Sequence, residues 1–320
     1  MTAEQPHTPL RYGFLVVPNY SMIAVTSAIE PLRMANRLSE QTLYEWPFIT
    51  LDGNPVQASN GLIITPNYSI NSAPKLDILF ICSGIDVSGA FTKTLQSALC
   101  GLARQHVKLG GICTGTYLLA RCGLLDGYRC TIHWENMASM REEFPSVLIK
   151  DELYQVDRDR YTCAGGNAPM DMMLGLISEN SGGTLAVNIS EQFMCDRIRG
   201  HQDRQRIPLQ LQLGSNQTKL TEAVTLMEAN IEEPISLEEL SQYVGISRRQ
   251  LERLFQKHLN CVPTRYYMDL RLKRARQLLL QTNKAIIDVA MACGFVSAPH
   301  FSKCYRDFFG ISPRNDRIGR

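Results

Sequence analysis

Gly110-Gly-Ile-Cys-Thr-Gly-Thr116 carries a cysteine among small residues, and His133 follows twenty residues later in Thr131-Ile-His-Trp134. Small residues around a central nucleophile suit a tight strand-to-helix elbow that exposes it. At such an elbow the N–H groups that open the helix, beginning at Thr114, favour an anion or a thiolate. Glu30, in Ser27-Ala-Ile-Glu-Pro-Leu-Arg33, is an acid placed to reach the same sheet edge. Cys113, Thr114, His133, Trp134 and Glu30 therefore form a candidate ligand pocket. Each also has a plainer reading: Cys113 as a buried thiol, His133 as a structural histidine, Glu30 on a wet helix face.

A second constellation lies near the other end. Ser236-Leu-Glu-Glu239 reads as a capping box, Gly245 as a turn and Ser247 as the cap of a second helix. Leu251, Leu254 and Phe255 then face inward. That turns Arg248, Arg249, Glu252, Arg253 and Gln256 outward. About fifty residues on, the grammar repeats. Ile286 to Cys293 is a helix, Gly294-Phe295 a turn, Ser297 a cap and Ala298 to Phe309 a helix. Pro299 is tolerated in the first turn, where its missing N–H has no helical partner. Phe301, Tyr305 and Phe308 make the inner face, leaving His300, Ser302, Lys303 and Arg306 outward. Two such units on one DNA face place recognition helices in major grooves about 34 Å apart. Between them Arg271, Lys273, Arg274 and Arg276 suit a connecting helix with a basic exposed face.

Different scaffolds must hold the two constellations. Tyr12–Val17, Leu76–Ile81 and His106–Ile112 are apolar runs typical of buried parallel strands. Helical patterns over Met22–Arg37, Phe91–Gln105 and Thr114–Arg121 alternate with them, which predicts a parallel sheet covered on both faces. A further helix is expected over Leu185–Arg204. Arg206–Gln217, with a proline, a glycine and little charge, reads as a linker before a helix over Lys219–Asn230. Beyond it the apolar spacings are helical throughout. The expected domains are 1–205, α/β, and 218–320, all-α, joined by 206–217.

Charge divides the same way. Residues 1–215 hold 17 Lys+Arg against 20 Asp+Glu, whereas residues 245–320 hold 15 against 5. Basic charge collected at one end points to a polyanion partner. The ten cysteines form no CxxC pair, which argues against a zinc ribbon or a dithiol redox site, so no metal or cofactor is expected. No stretch approaches eighteen apolar residues and the first ten are polar, which predicts a cytoplasmic protein without a membrane span.

Residues 219–314, including the tail Phe308-Phe-Gly-Ile-Ser-Pro313, resemble the AraC/XylS family of transcription regulators. The resemblance implies DNA-facing roles for Arg249, Glu252 and Arg253 in one helix and His300, Ser302 and Lys303 in the other. Residues 11 to about 195 resemble the PfpI-like branch of the class I glutamine amidotransferase superfamily, through Cys113-Thr-Gly, Gly123-Leu-Leu-Asp-Gly127, Thr131-Ile-His-Trp134 and Ala164-Gly-Gly. That implies a flavodoxin-like sandwich. In enzymes of the superfamily the cysteine is the nucleophile and the histidine its partner.

Joined in one chain, the two resemble the GlxA-like subgroup, where the first domain serves as a sensor and catalysis is not expected. Ser27 to Asn36 and Asp203-Arg-Gln-Arg-Ile-Pro-Leu209 resemble, within it, regulators of carnitine, glycine betaine and arginine catabolism. A quaternary ammonium ligand favours aromatic faces and an acid, and Tyr20, Tyr44, Trp46, Tyr117, Trp134 and Glu30 are available. The expectation is a homodimeric activator of a catabolic operon. It binds an operator duplex, a small polar effector and RNA polymerase. The rival is a cysteine-dependent hydrolase or amidase using Cys113 and His133, coupled to DNA binding.

Overall fold

A computed structural model describes residues 8–205 and 218–318. Residues 206–217, read from the sequence as a linker, lie outside the described residues. The chain divides into two compact units, Met1–Gln205 and Arg206–Arg320.

The first unit is built on an eight-stranded sheet. Its long strands are β1 (Leu10–Val16), β7 (Ile78–Ser83) and β8 (Lys108–Cys113), all parallel and adjacent. Short strands extend it on one side: β2 (Tyr44–Glu45), β3 (Phe48–Thr50) and β6 (Tyr68–Ser69). On the other side β12 (Arg160–Cys163) runs parallel to β8, and β11 (Tyr154–Asp157) closes the edge antiparallel. Two small pairs stand apart from it, β4 (Val56–Gln57) with β5 (Ile63–Ile64) and β9 (Arg129–Cys130) with β10 (Leu148–Ile149).

Strand alternation sends side chains to two cores. Tyr12, Phe14, Val16, Phe80 and Cys82 pack under α1 (Met22–Ser39), α5 (Ala168–Ser181) and α6 (Gly183–Gln192). Leu15, Val17, Leu79 and Ile81 pack under α2 (Lys93–Arg104), α3 (Gly115–Arg121) and α4 (Met137–Glu143). Both faces are covered, which explains the unbroken apolar runs of the central strands.

One expected helix is shorter than its pattern. Leu185–Arg204 is helical only to Gln192. Met194 takes a left-handed backbone, φ 54°, which ends helical propagation. Arg197 closes on Asp203 within the segment, and Arg199 and Gln205 bond to other parts of the fold.

In the second unit no strand occurs among the described residues. α7 (Thr218–Ala229), α8 (Leu237–Val244) and α9 (Arg248–Leu259) enclose one small core around Leu220, Leu240, Leu251 and Phe255. α10 (Pro263–Gln281) gives Tyr267 to that core and Leu272, Ala275, Leu278 and Leu279 to the next. α11 (Ile286–Ala292) and α12 (Ala298–Phe309) complete the second core through Val289, Phe301 and Tyr305. α13 (Pro313–Ile318) follows.

Candidate effector site and DNA-reading helices

Cys113 ends β8 with φ 59°, a left-handed conformation unusual for a residue with a side chain. The residues around it are small because the backbone approaches so closely. A Cβ on Gly115 would lie 1.9 Å from the Ile81 carbonyl oxygen, and one on Gly111 would strike Thr116. Thr114 fixes the turn by donating its hydroxyl to the Gly84 carbonyl at 2.7 Å. Cys113 is paired in register with Ser83 of β7, whose buried hydroxyl has no hydrogen-bond partner.

His133 lies on the loop opposite. Its N–H reaches the Cys113 carbonyl at 3.4 Å. A Cβ on Gly165 would come within 2.6 Å of its ring and 3.0 Å of the Cys113 sulfur, so thiol and imidazole flank the same glycine. Burial pushes the Cys113 thiol up to about 12, against the pull of the Thr114 N–H, so it is protonated at neutral pH. Burial also lowers His133, against Glu135. Nδ1 accepts the Glu135 N–H at 3.4 Å, which leaves the proton of the neutral ring on Nε2. This is a neutral thiol beside a neutral imidazole, whereas an activated nucleophile needs a thiolate. Trp134 lies with its ring 5.7 Å from that of His133 and is partly exposed.

Glu30 does not join them. It stands eight residues into α1, about 12 Å along the axis from Met22 at the helix start. Its carboxylate pairs with Arg33 at 2.6 Å. The carboxylate near His133 is Glu135, 3.8 Å from Nδ1.

Nor are the expected aromatics gathered in one cage. Tyr20 is fully buried, and Tyr117 donates to Glu143 from the opposite core. Tyr44 and Trp46 line a separate open cavity of about 580 Å³, with the Arg11–Glu45 ion pair and Tyr68, near the start of β1. Trp134 stays beside the elbow at His133, and Tyr20, although buried, bridges Gly84, whose carbonyl holds Thr114. Sequence reading missed Ser83, Glu135 and the part Gly165 plays. Cys82-Ser-Gly84 and Ala164-Gly-Gly were visible, but nothing in their spacing says that the fold brings them to Cys113.

The second unit forms both helix-turn-helix pairs. Ser236 and Ser247 each close a capping box, with Glu239 and Gln250. Ser297 accepts the His300 N–H. Arg248, Arg249 and Arg253 are exposed on α9, opposite the buried Leu251 and Phe255. Arg248 is engaged by Glu252 at 3.0 Å across one turn. On α12 His300, Lys303 and Arg306 are exposed and Ser302 half-buried. His300 Nε2 lies 3.3 Å from the Cys304 sulfur on its own helix.

The basic face expected on α10 is largely structural. Arg271 is half-buried and donates to the carbonyls of Cys293 and Gly294 at 2.8 and 2.7 Å. Its guanidinium stacks 4.3 Å from the Phe295 ring. Arg276 pairs with Asp316 and lies over Phe309. Of the four cations only Lys273 is fully exposed. The turn of the second unit offers carbonyls and an aromatic face, and the guanidinium fork matches both.

Comparison with known proteins agrees with this architecture. The DJ-1/PfpI family profile matches residues 21–179, and a helix-turn-helix domain profile matches residues 240–317. The HTH-type transcriptional regulator GbdR of Pseudomonas aeruginosa is 54% identical over 99% of this chain and 86% of its own length. This chain belongs to the AraC-family transcriptional regulators that carry an N-terminal DJ-1/PfpI domain. The regulator ArgR of the same organism is 45% identical over 100% of this chain and 95% of its own length. A crystal structure of an AraC family transcriptional regulator from Pseudomonas putida covers 58% of this chain and all of its own, at 32% identity and a TM-score of 0.53. As a member of this family the chain is a DNA-binding transcription regulator, and DNA is its partner. No helix among the described residues is long and apolar enough to cross a membrane.

Proposed function

We propose that this regulator is switched by a small polar metabolite bound at the Cys113 elbow. An amino acid or a quaternary ammonium compound such as carnitine or betaine is the expected class. Cys113, Thr114, His133 and Trp134 line the site, without Glu30. The observation that carries this reading is the strained elbow itself, which presents an uncharged thiol, an uncharged imidazole and the unpartnered Ser83 hydroxyl at one place. Strained backbone concentrates at functional sites. Neutral polar groups held ready there suit binding.

The regulator acts in the cytoplasm as a homodimer, since paired copies match paired half-sites. It activates a catabolic operon through contact with RNA polymerase. Residues 1–205 sense, 206–217 link and 218–320 bind DNA. Arg249 and Arg253 of α9 read bases, Lys303 of α12 holds the phosphate backbone, and Arg248, Glu252, His300, Ser302 and Arg306 support them. Arginine favours guanine edges, and lysine and serine also serve phosphates.

A thermal-shift screen of amino acids, betaines and carnitine tests the effector assignment, because a ligand of the folded state raises apparent stability. A compound that stabilises the wild type and not Trp134→Ala supports it. Equal stabilisation of both would place the ligand elsewhere.

The rival is a cysteine-dependent amidase, favoured by the left-handed Cys113 backbone. Cys113→Ser separates the two. A sensor keeps its ligand-dependent response, whereas an enzyme-driven switch loses it and the wild type consumes its ligand.

A further inference from the structure

The segment that leaves the first unit is tied to both loops that frame the elbow. Arg199 spans Asp171 and Asn167: its N–H donates to Asp171 Oδ1 at 2.9 Å, and its guanidinium lies 2.6 Å from Asp171 Oδ2 and 2.8 Å from Asn167 Oδ1. Asn167 follows Gly165-Gly166, the turn against which Cys113 and His133 sit. Asp203 closes on Arg197 at 2.6 Å, and its carbonyl accepts the Leu153 N–H at 2.8 Å. The Arg204 backbone forms an isolated antiparallel β-bridge with that of Glu152.

Gln205 then inserts its amide into the sensor. Nε2 lies 2.9 Å from Thr131 Oγ1, 2.8 Å from the Ile132 carbonyl and 3.1 Å from the Glu152 carbonyl. The residue after Ile132 is His133. A short path therefore runs from Cys113 through His133 and Ile132 to Gln205, the last described residue before position 206. The Gln205 amide oxygen is buried without a hydrogen-bond partner. A half-satisfied buried amide forgoes part of its stabilisation, so the anchor is held by its donors alone and is sensitive to small shifts of the 131–133 backbone.

We propose that Gln205 couples the state of the elbow to the chain that continues toward the DNA-binding unit. The proposal rests on reading the elbow as the effector site. A ligand that moves His133 moves the Ile132 carbonyl and so favours or releases the Gln205 anchor. The ligand then binds one arrangement more tightly than the other, as any switch requires. This gives a structural role to Asp203-Arg-Gln205, which in sequence is only part of a family resemblance.

A double-mutant cycle tests this without a ligand, on the full chain and a duplex that the wild type selects from a random-sequence pool. His133→Ala perturbs the elbow. Gln205→Glu removes the N–H donors at nearly constant volume, and Thr131→Val removes an acceptor from the other side should Gln205→Glu fail to fold. In the wild-type background His133→Ala is expected to change duplex affinity about fivefold or more, a typical allosteric coupling. In either coupling-variant background the change falls below about twofold. Equal effects in the two backgrounds, or no effect of His133→Ala at all, overturn the proposal. The effector reading is scored separately, by titrating glycine betaine, carnitine and arginine against Trp134 fluorescence in a Trp46→Phe chain. If none gives a saturable change, that reading fails, and the cycle still decides whether Gln205 couples.

Discussion

The Cys113 sulfur and the His133 ring face each other across Gly165, where an added Cβ would lie 3.0 Å from one and 2.6 Å from the other. The space a ligand would enter is thus bounded by a glycine whose hydrogen cannot be replaced without displacing both groups. Gly165→Ala is expected to lower effector affinity by about tenfold or more, at a stability cost of about 1–3 kcal/mol from overpacking. Duplex binding in the absence of effector should persist, shifted in the same direction as in His133→Ala. Calorimetric titration of the variant decides this, and wild-type affinity would mean that the ligand does not use this space.

The thiol gives a pH signature. Cys113 is raised from 9.0 to about 12 in the folded chain, so the unfolded state releases its proton first as pH rises. Stability from this group is complete below about pH 9 and is lost progressively up to about pH 12. Cys122 and Cys130, also raised to about 12, act in the same window. Urea melts across it should therefore fall less steeply for Cys113→Ser than for the wild type, without becoming flat. Parallel slopes would show that the thiol ionises freely in the fold. Iodoacetamide should also modify Cys113 slowly near neutral pH.

The two turn glycines should differ in tolerance. Gly245 and Gly294 have nearly the same φ, 72° and 74°. A Cβ on Gly245 meets nothing within 4 Å, whereas one on Gly294 would lie 2.5 Å from Pro234 and 2.7 Å from the Ile231 carbonyl oxygen. Gly245→Ala should cost about 1–2 kcal/mol, the strain of a left-handed residue. Gly294→Ala adds a backbone collision and should be markedly worse. Thermal melts of the two variants make the comparison, and equal losses would refute it.

Arg271 should behave as a structural residue. Arg271→Ala removes two charge-assisted hydrogen bonds to the Cys293–Gly294 turn and the stacking on Phe295. A loss of about 2–4 kcal/mol is expected. Lysine should not restore it, because its ammonium lacks the planar fork. Duplex binding should fall only as far as the second helix pair unfolds.

The outward cations should show the opposite pattern, with melting unchanged and DNA binding weakened. Arg249→Ala should cost about 1–3 kcal/mol and relax base preference. Lys303→Ala should weaken all duplexes alike and reduce the salt dependence by about one counterion. Full affinity across salt concentrations in both variants would displace the recognition surface from these helices.

Much of the DNA-binding unit is legible in sequence because its signals are local. The Ser236–Glu239 capping box, the Ser247 cap and the left-handed turns at Gly245 and Gly294 each form where the local sequence predicts, and Gln250 completes a second box at Ser247 that the sequence reading did not single out. The central strands are equally plain, since strands covered on both faces need unbroken apolar runs. The short strands of the sheet edges carry no such run, and the overlong helix after Leu185 fails because its partners lie far off in sequence.

What the sequence by itself determined is the identity of the parts: a cysteine in a glycine-rich elbow, two capped helix pairs and a basic end. Tertiary structure alone decided what those parts touch. It put Glu30 on Arg33 and Glu135 beside His133, and it turned Arg271 from a cation expected on an exposed basic face into a clasp on a turn. It also buried Cys113, which pushes its thiol further from the thiolate that a nucleophile needs. Periodicity and capping are short-range and leave a mark in every window of the chain. Burial, ion pairing and desolvation depend on groups brought together from distant segments, and the chemistry of the elbow follows from them.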